Sequence, residues 1–138
     1  PCEEYSTCKT IGVRNLYKAD IIVKKTLEII EYFKPKYYYI ENPQTGLLKS
    51  RDFMKDRYYF VIDYCKYGFR YRKRTAIWTN DFLFKPIDLC CKNNRCDLYN
   101  HIEKKHFGHF GERGSNCSLD EKHSVPQLLI KNIRDNLG

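Results

Sequence analysis

The chain has 138 residues, a length that is near the usual size of one domain with a substantial hydrophobic core and too short for two comfortable ones. Its 25 Lys and Arg residues outnumber 17 Asp and Glu residues, and the formal net charge of +8 makes a polyanion, with nucleic acid first, an expected partner. Seven cysteines without a signal sequence, and no apolar run near the roughly 18 residues that cross a bilayer, argue against a secreted or membrane protein.

The first long element that the sequence predicts is an amphipathic helix over residues 16–33. Its end is predicted at Lys34-Pro35, because proline disfavours helical geometry in the residue before it and has no amide hydrogen to donate. A short buried strand over residues 37–40 follows, with Glu41-Asn42-Pro43 as the loop that leaves it. Apolar residues recur along the helix at three- and four-residue steps, at Leu16, Ala19, Val23, Leu27 and Ile30.

A second run of elements follows the first strand. Residues 46–55 are predicted to form a short helix, and residues 58–64 and 76–79 are predicted to be strands from their aromatic and β-branched content. The alternation of helices and strands predicts an α/β fold with a largely parallel sheet, in which the last two strands are close enough in sequence to be antiparallel. A capping box over residues 124–127 opens a closing helix that ends near Asn136.

Residues 81–123 hold four of the seven cysteines and all four histidines, with little periodicity. One hypothesis is a structural zinc site, since thiolate and imidazole are the usual ligands of zinc. The spacing Cys91-x4-Cys96-x4-His101 matches no standard finger, and the sequence does not fix four ligands, so no metal ligand is assigned. The candidates are Cys90, Cys91, Cys96, His101, His106 and His109, with Cys91, Cys96, His101 and His106 as the leading set.

Four motifs, in order along the chain, carry a resemblance to one family. Pro1-Cys2-Glu3-Glu4-Tyr5-Ser6 resembles the Pro-Cys-x-x-Phe-Ser nucleophile motif of the DNA cytosine-5 methyltransferases, and Tyr39-Ile40-Glu41-Asn42-Pro43 resembles the strand of that family that ends in Glu-Asn-Val. Arg72-Lys73-Arg74-Thr75-Ala76 is similar to Gln-x-Arg-x-Arg, with Arg74 at the first arginine. His123-Ser124-Val125-Pro126 is similar to Asn-Ser/Ala-Val-Pro. The resemblance covers roughly residues 1–80 and 122–138.

The resemblance implies part of a Rossmann-like, S-adenosylmethionine-dependent methyltransferase sheet with a small irregular Cys/His-rich insertion and a C-terminal helix. Residues 1–80 would be the catalytic part, residues 81–123 a target-recognition segment and residues 124–138 the closing helix. In an open α/β sheet, a cysteine at the end of one strand and a carboxylate at the end of the next can face the same cleft. For residues 81–123, a target-recognition segment is thus the alternative to a small segment held together by zinc.

The resemblance also implies a role for three residues. Cys2 would add as a thiolate to carbon 6 of cytosine, which makes carbon 5 nucleophilic toward a methyl group. Glu41 would protonate ring nitrogen 3, and Arg74 would hold the exocyclic oxygen. Each has a plainer alternative: Cys2 as a small buried apolar residue, Glu41 as part of an ordinary turn, and Arg74 in a solvated basic run.

Contacts with DNA and cofactor are expected from the same comparison. The cofactor would be S-adenosylmethionine, with Ser124 and Val125 at its pocket. The Phe-x-Gly-x-Gly turn that holds it in the family is not present in these residues, so we expect a catalytic half that needs a missing N-terminal cofactor-binding segment as its partner. The expected nucleic-acid-binding residues are Ser6, Lys9, Arg14, Arg72 and Lys73.

Two other functions stay open at this level. One is a catalytically inactive, nucleic-acid-binding relative that keeps the shape without the cofactor. The other is methylation of cytosine in RNA, because the same nucleophile serves both nucleic acids. With its free thiols and without a secretion signal, the protein is expected inside a cell, in a bacterial cytoplasm or a virus-infected host. Whether the mark serves restriction-modification or regulation does not follow from these residues.

Overall fold

The computed structural model describes residues 2–7, 9, 12–87, 91, 96–106, 120 and 123–137, with the side chains of Cys2 and Lys105 outside the description. The chain divides into two compact units. The first contains Pro1–Phe60 and Ala76–Phe82, and the second contains Val61–Thr75 and Leu83–Gly138.

Two helices open the first unit. Helix α1 is Cys2–Tyr5 and helix α2 is Leu16–Phe33, so the long helix predicted from sequence is confirmed. The side chain of Asn15 caps α2 by accepting the Lys18 amide hydrogen at 2.9 Å. Lys34 ends the helix in the left-handed conformation, with φ 46°, and its N–H still bonds to the Ile30 carbonyl. Pro35 comes next, as predicted.

A three-stranded sheet has the order β1-β3-β2. The Tyr64 N–H, just after β2, donates to the Lys73 carbonyl, just before β3, so these two strands run antiparallel. A mixed helix and sheet fold is confirmed, whereas the Rossmann-like arrangement stays a prediction. The strands are β1 (Tyr39–Pro43), β2 (Tyr59–Asp63) and β3 (Arg74–Thr79).

Two predictions for the first unit are corrected. Glu41-Asn42-Pro43 belongs to β1 itself and is not the loop after it. The helix predicted over residues 46–55 is only a 3₁₀ turn at Leu47–Ser50, followed by turns. The first unit is held by a core in which an aromatic from α1 meets α2 and β3, made of Tyr5, Ala19, Val23, Leu48, Met54, Ala76 and Trp78.

In the second unit, a 3₁₀ turn at Tyr64–Tyr67 follows β2 and ends at Gly68, which has φ 92°. A hairpin follows, in which β4 (Tyr99–Asn100) pairs antiparallel with β5 (Lys105–His106). The closing helix α3 is Gln127–Leu137, which confirms the prediction. Its buried Asn132 accepts the Ile87 amide hydrogen and donates to the Lys85 carbonyl, so it ties α3 to an irregular segment. Among the described residues, no helix is long and apolar enough to cross a membrane.

Candidate active site

The nucleophile motif begins helix α1, so the strand end predicted at Cys2 is replaced by the start of a four-residue helix. The Cys2 side chain lies outside the described part of the chain. Tyr5, at the position of the motif's phenylalanine, is fully buried and donates its hydroxyl hydrogen to Asp20 Oδ1 at 2.8 Å. The motif is therefore anchored on α2 through its aromatic residue.

Asp20 receives a second partner in the Arg51 guanidinium, which donates to both carboxylate oxygens. Burial raises the pKa of Asp20, but the hydrogen bonds from Arg51 and Tyr5 outweigh burial and leave that pKa below its usual value. The carboxylate stays ionised and fixes three segments at one point. Sequence reasoning missed Asp20, because a single acidic residue in an amphipathic helix normally lies on the solvated face.

The second motif lies on β1, where neighbouring side chains alternate between the two faces of the sheet. Ile40 packs on the core of the first unit, and Asn42, on the same face, is 3% exposed. Glu41 lies on the other face and is half-buried. Asn42 Oδ1 is buried and accepts no hydrogen bond within the described part of the chain. A buried acceptor of this kind needs an explanation, such as a functional role.

The two motifs meet at Gly46. A Cβ atom built on this buried glycine would lie 3.0 Å from the Pro43 carbonyl oxygen, 3.1 Å from Asn42 Oδ1 and 3.3 Å from the Tyr5 carbonyl oxygen. The C-terminal end of α1 and the end of β1 therefore both lie close to Gly46, where there is little room for a side chain. Cys2 and Glu41 lie on the two segments that converge there, in the same compact unit.

Gly46→Ala is expected to lower the free energy of unfolding by about 1–3 kcal/mol, because the added methyl group would overlap two backbone oxygens that belong to fixed segments. Urea unfolding followed by circular dichroism measures the change. Thr45→Ala is the matched control, since Thr45 is exposed and its replacement should stay within about 0.5 kcal/mol. Equal stability of the two variants would show that the segments near Gly46 move apart at little cost to make room for the methyl group.

The loop between α1 and α2 is organised by Glu4. One carboxylate oxygen pairs with Lys9 Nζ at 2.5 Å, and the other accepts the Asn15 amide hydrogen at 2.6 Å. The hydrogen bond from Lys9 and that from Asn15 lower the pKa of Glu4 below its usual value. Of the predicted DNA contacts, Lys9 is thus engaged inside the protein, whereas Arg14 is exposed and donates to the Ser6 carbonyl.

The basic run of the third motif is not a freely solvated patch. Asp63, at the end of β2 and fully buried, pairs with Arg72 at 3.2 Å and with Arg74 at 3.3 Å. The same carboxylate accepts the Cys91 amide hydrogen at 2.7 Å. Lys73 is buried and its Nζ lies 4.9 Å from the centre of the Tyr64 ring. The Arg74 side chain is still 40% exposed, so it is held in place without being enclosed.

Asp63→Ala is expected to lower the free energy of unfolding by about 3 kcal/mol, the lower end of the range for breaking a buried ion pair, because both arginines keep some contact with water. Urea unfolding measures this change in the free energy of unfolding. Asp52→Ala is the control, because the Asp52 side chain is 97% exposed and should change stability by less than about 0.5 kcal/mol. A small effect at Asp63 would mean that the arginines find other partners.

The residues expected to contact the cofactor lie before α3. Ser124 is exposed and its N–H donates to the Asp120 carbonyl, and Val125 is half-buried. The described glycines, Gly12, Gly46 and Gly68, are far apart in sequence and form no glycine-rich turn. Among the described residues there are therefore two candidate contacts and no binding loop for the whole cofactor.

A cluster of sulfur and nitrogen ligands lies in the second unit. Side-chain atoms of Cys65, Cys91, Cys96 and His106 all lie within 4.8 Å of one another, and all four residues are buried. This corrects the ligand set expected from sequence: Cys65 takes part, whereas His101 is exposed and packs its ring against Tyr99. Cys65 was missed because it lies 26 positions before Cys91, outside the Cys/His-rich segment. Cys90 and His109 lie outside the described residues.

Burial and the neighbouring sulfurs raise the pKa of the Cys65 thiol well above its usual value. His106 reaches the cluster through β5, and its Nε2 lies 3.1 Å from Cys91 Sγ. The Tyr99 ring packs edge-on against the imidazole, at 5.4 Å between ring centres. The cluster thus joins three segments of the second unit: the 3₁₀ turn, the region of Cys91 and Cys96, and the hairpin.

Comparison with known proteins gives one informative relative. The chain is 30% identical over 124 residues to the "Probable DNA (cytosine-5)-methyltransferase" of Frog virus 3 (isolate Goorha). The match covers 83% of this chain and 56% of that protein, so the chain spans little more than half the length of the relative. No protein-family model and no solved structure matches the chain. The family indicated by the sequence motifs is confirmed by this relative.

Proposed function

This chain is a relative of the DNA cytosine-5 methyltransferases, and we propose that it methylates carbon 5 of cytosine in DNA through a covalent adduct with Cys2. The observation that carries the proposal is the meeting of the nucleophile motif and the Glu-Asn-Pro motif at Gly46, inside one compact unit. The two motifs are separated by a helix in the chain, yet both approach one buried glycine, which supports a shared site for the segments that carry Cys2 and Glu41.

The first step belongs to Cys2. Carbon 5 of cytosine is too weak a nucleophile to accept a methyl group unaided. Addition of the Cys2 thiolate to carbon 6 breaks the ring's conjugation and makes carbon 5 an enamine carbon. After carbon 5 has gained its methyl group, a base removes the carbon 5 proton and the sulfur leaves, so that the thiolate is regenerated and the ring becomes aromatic again.

Glu41 and Arg74 have the roles in the proposal that the resemblance implies for them. Protonation of nitrogen 3 by the Glu41 carboxylic acid makes carbon 6 electrophilic enough for the thiolate. Arg74 binds the exocyclic oxygen, where negative charge grows as the sulfur adds. Its ion pair with buried Asp63 holds the guanidinium in one orientation while leaving part of the side chain exposed, which suits a group that binds a ligand atom. A Rossmann-like sheet is the framework proposed for these residues.

S-adenosylmethionine is the methyl donor that this chemistry uses in the family. The described residues do not fit the whole cofactor, because two candidate contacts near α3 and no glycine-rich turn are available to hold it. The roles proposed for the residues of this chain therefore concern the base alone. Ser124 and Val125 are proposed to line one side of the cofactor pocket.

Binding of DNA follows from charge and from the position of the target atom. A formal net charge of +8 favours the phosphate backbone, and the affinity should fall steeply as salt rises. Arg14 is the exposed candidate for a phosphate contact, whereas Lys9, Arg72 and Lys73 are already engaged inside the protein. Carbon 6 is hidden in a duplex, so the target nucleotide must flip out at a cost of a few kcal/mol.

The test is covalent trapping on DNA that contains 5-fluorocytosine, with the protein expressed from its complete reading frame and with S-adenosylmethionine present. Fluorine at carbon 5 cannot leave as a proton does, so elimination is blocked and the protein stays bonded to the base. We expect a complex that survives a denaturing gel, with the modified peptide containing Cys2 by mass spectrometry.

The same experiment separates the alternatives. RNA that contains 5-fluorocytidine should give no adduct, and an adduct on RNA but not on DNA would reassign the substrate. Tight, salt-sensitive binding to DNA without any adduct would indicate a catalytically inactive relative. An adduct at a peptide other than that of Cys2 would contradict the assigned nucleophile.

A further inference from the structure

The Cys65, Cys91, Cys96 and His106 cluster has no role in the proposed methylation chemistry. Three of its members are buried free thiols, and the fourth is an imidazole that is 2% exposed. A single buried cysteine is commonly just a small apolar side chain. Here four buried metal-ligand side chains come from three separate segments, and their ligand atoms all lie within 4.8 Å of one another.

The spacing of these atoms suits a tetrahedral zinc ion. With zinc–sulfur bonds of about 2.3 Å and zinc–nitrogen bonds of about 2.0 Å, the edges of a tetrahedron are about 3.5–3.8 Å long. The atoms in the structure lie within 4.8 Å of one another, and Cys91 Sγ and His106 Nε2 are 3.1 Å apart. Shifts of less than about an ångström would therefore complete the coordination shell.

The chain around the cluster also has the form of a structural zinc site. Cys91 and Cys96 have the Cys-x4-Cys spacing that lies within the usual range for a pair of zinc ligands. His106 lies on β5 of the hairpin, and the Tyr99 ring on β4 packs against its imidazole. The Cys91 N–H is fixed by Asp63, so one ligand is oriented by a buried carboxylate outside the cluster.

We propose that Cys65, Cys91, Cys96 and His106 bind one Zn²⁺ as a structural site. Three thiolates and one imidazole select zinc over magnesium or calcium, which prefer oxygen ligands. Four protein ligands leave no open coordination position, so the ion holds chain segments together and takes no part in catalysis. The site stands independently of the proposed methyl transfer.

The ion would fix two features of the second unit. It would join Cys91, Cys96 and the hairpin that carries His106 to the 3₁₀ turn that carries Cys65. It also immobilises Cys91, whose amide donates to Asp63, the carboxylate that pairs with Arg72 and Arg74. Zinc would therefore stabilise the arrangement that holds Arg74.

The test is zinc content, measured by mass spectrometry on the whole 138-residue chain purified with a reductant and without a chelator. We expect stoichiometric zinc in the native chain and loss to background in Cys65→Ser, Cys96→Ser and His106→Ala. The matched control is His101→Ala, which changes an exposed histidine in the β4–β5 connection and should keep the metal.

Cobalt substitution reads the ligands directly and keeps the proposal testable if the serine variants do not fold. The native chain with Co²⁺ should show thiolate-to-metal charge-transfer bands and the ligand-field bands of a tetrahedral ion with three sulfur ligands. His106→Cys should keep the metal and shift the spectrum to that of four sulfur ligands. A shift of this kind arises only if residue 106 is itself a ligand.

Three results would overturn the proposal. The first is a folded native chain that stays free of zinc after reconstitution under reducing conditions. The second is zinc that remains in Cys96→Ser and is lost from His101→Ala. The third is a cobalt spectrum without sulfur ligation. None of these results bears on covalent trapping at Cys2, so failure of the zinc site and failure of the proposed methylation are distinguishable.

Discussion

Cys2→Ala is expected to abolish transfer of a methyl group to DNA, and Cys2→Ser is expected to lose nearly all of it. A methyl side chain cannot attack carbon 6, and a serine hydroxyl is far less ionised than a thiol at neutral pH. The measurement is transfer of tritium from labelled S-adenosylmethionine to DNA, with the protein expressed from its complete reading frame.

The control for this result is Cys8→Ala, which removes another cysteine of the same segment and should leave methylation intact. DNA binding should survive in all three variants, since a neutral thiol side chain adds little to attraction for phosphate. Substantial methylation by Cys2→Ala would remove this residue from the mechanism. Loss of DNA binding together with activity would indicate a structural cysteine.

Local elements were predictable because their signals are local. The period of apolar residues over 16–33 and the proline at position 35 define α2, and both ends agree with the structure. The short elements differ more from their predicted boundaries and types. Within residues 46–55 only Leu47–Ser50 form a 3₁₀ turn. The close approach of Tyr5 and Pro43 to Gly46, just before it, is not visible in a local window of sequence.

The sequence displays the motifs of the candidate site, but it does not indicate the residues that support them. Tyr5 was identified as part of the nucleophile motif. Its hydrogen bond to Asp20 was not predicted, because the two residues are 15 positions apart in the chain. Asp63 is the last residue of an apolar strand. Its three partners, Arg72, Arg74 and Cys91, lie 9, 11 and 28 positions away in the chain. Long-range polar contacts of this kind depend on the completed fold, so spacing along the chain does not indicate them.

The zinc hypothesis illustrates the same limit. A dense Cys/His segment suggested ligands from within itself, and three members of the observed cluster do come from it. The fourth, Cys65, comes from the 3₁₀ turn after β2, where nothing nearby suggests a metal. The useful signal would have been a buried cysteine directly after a strand that ends in a buried aspartate.

Glu41→Gln is expected to slow methyl transfer by roughly 10²–10⁴-fold, the usual effect of losing a general acid, while the protein stays folded. Glutamine keeps the size and most of the hydrogen bonding of glutamate, but it cannot deliver a proton to ring nitrogen 3. Single-turnover kinetics with excess enzyme isolates the chemical step from DNA binding and product release.

The control for Glu41 is Glu31→Gln, which makes the same chemical change on the exposed face of α2 and should leave the rate unchanged. DNA affinity and the urea midpoint of Glu41→Gln should match those of the native protein. A fall in stability of the same size as the fall in rate would indicate that this half-buried carboxylate on β1 supports the strand and not the reaction. A slow chemical step in a stable variant that binds DNA normally would identify Glu41 as the proton donor to the base that Cys2 attacks.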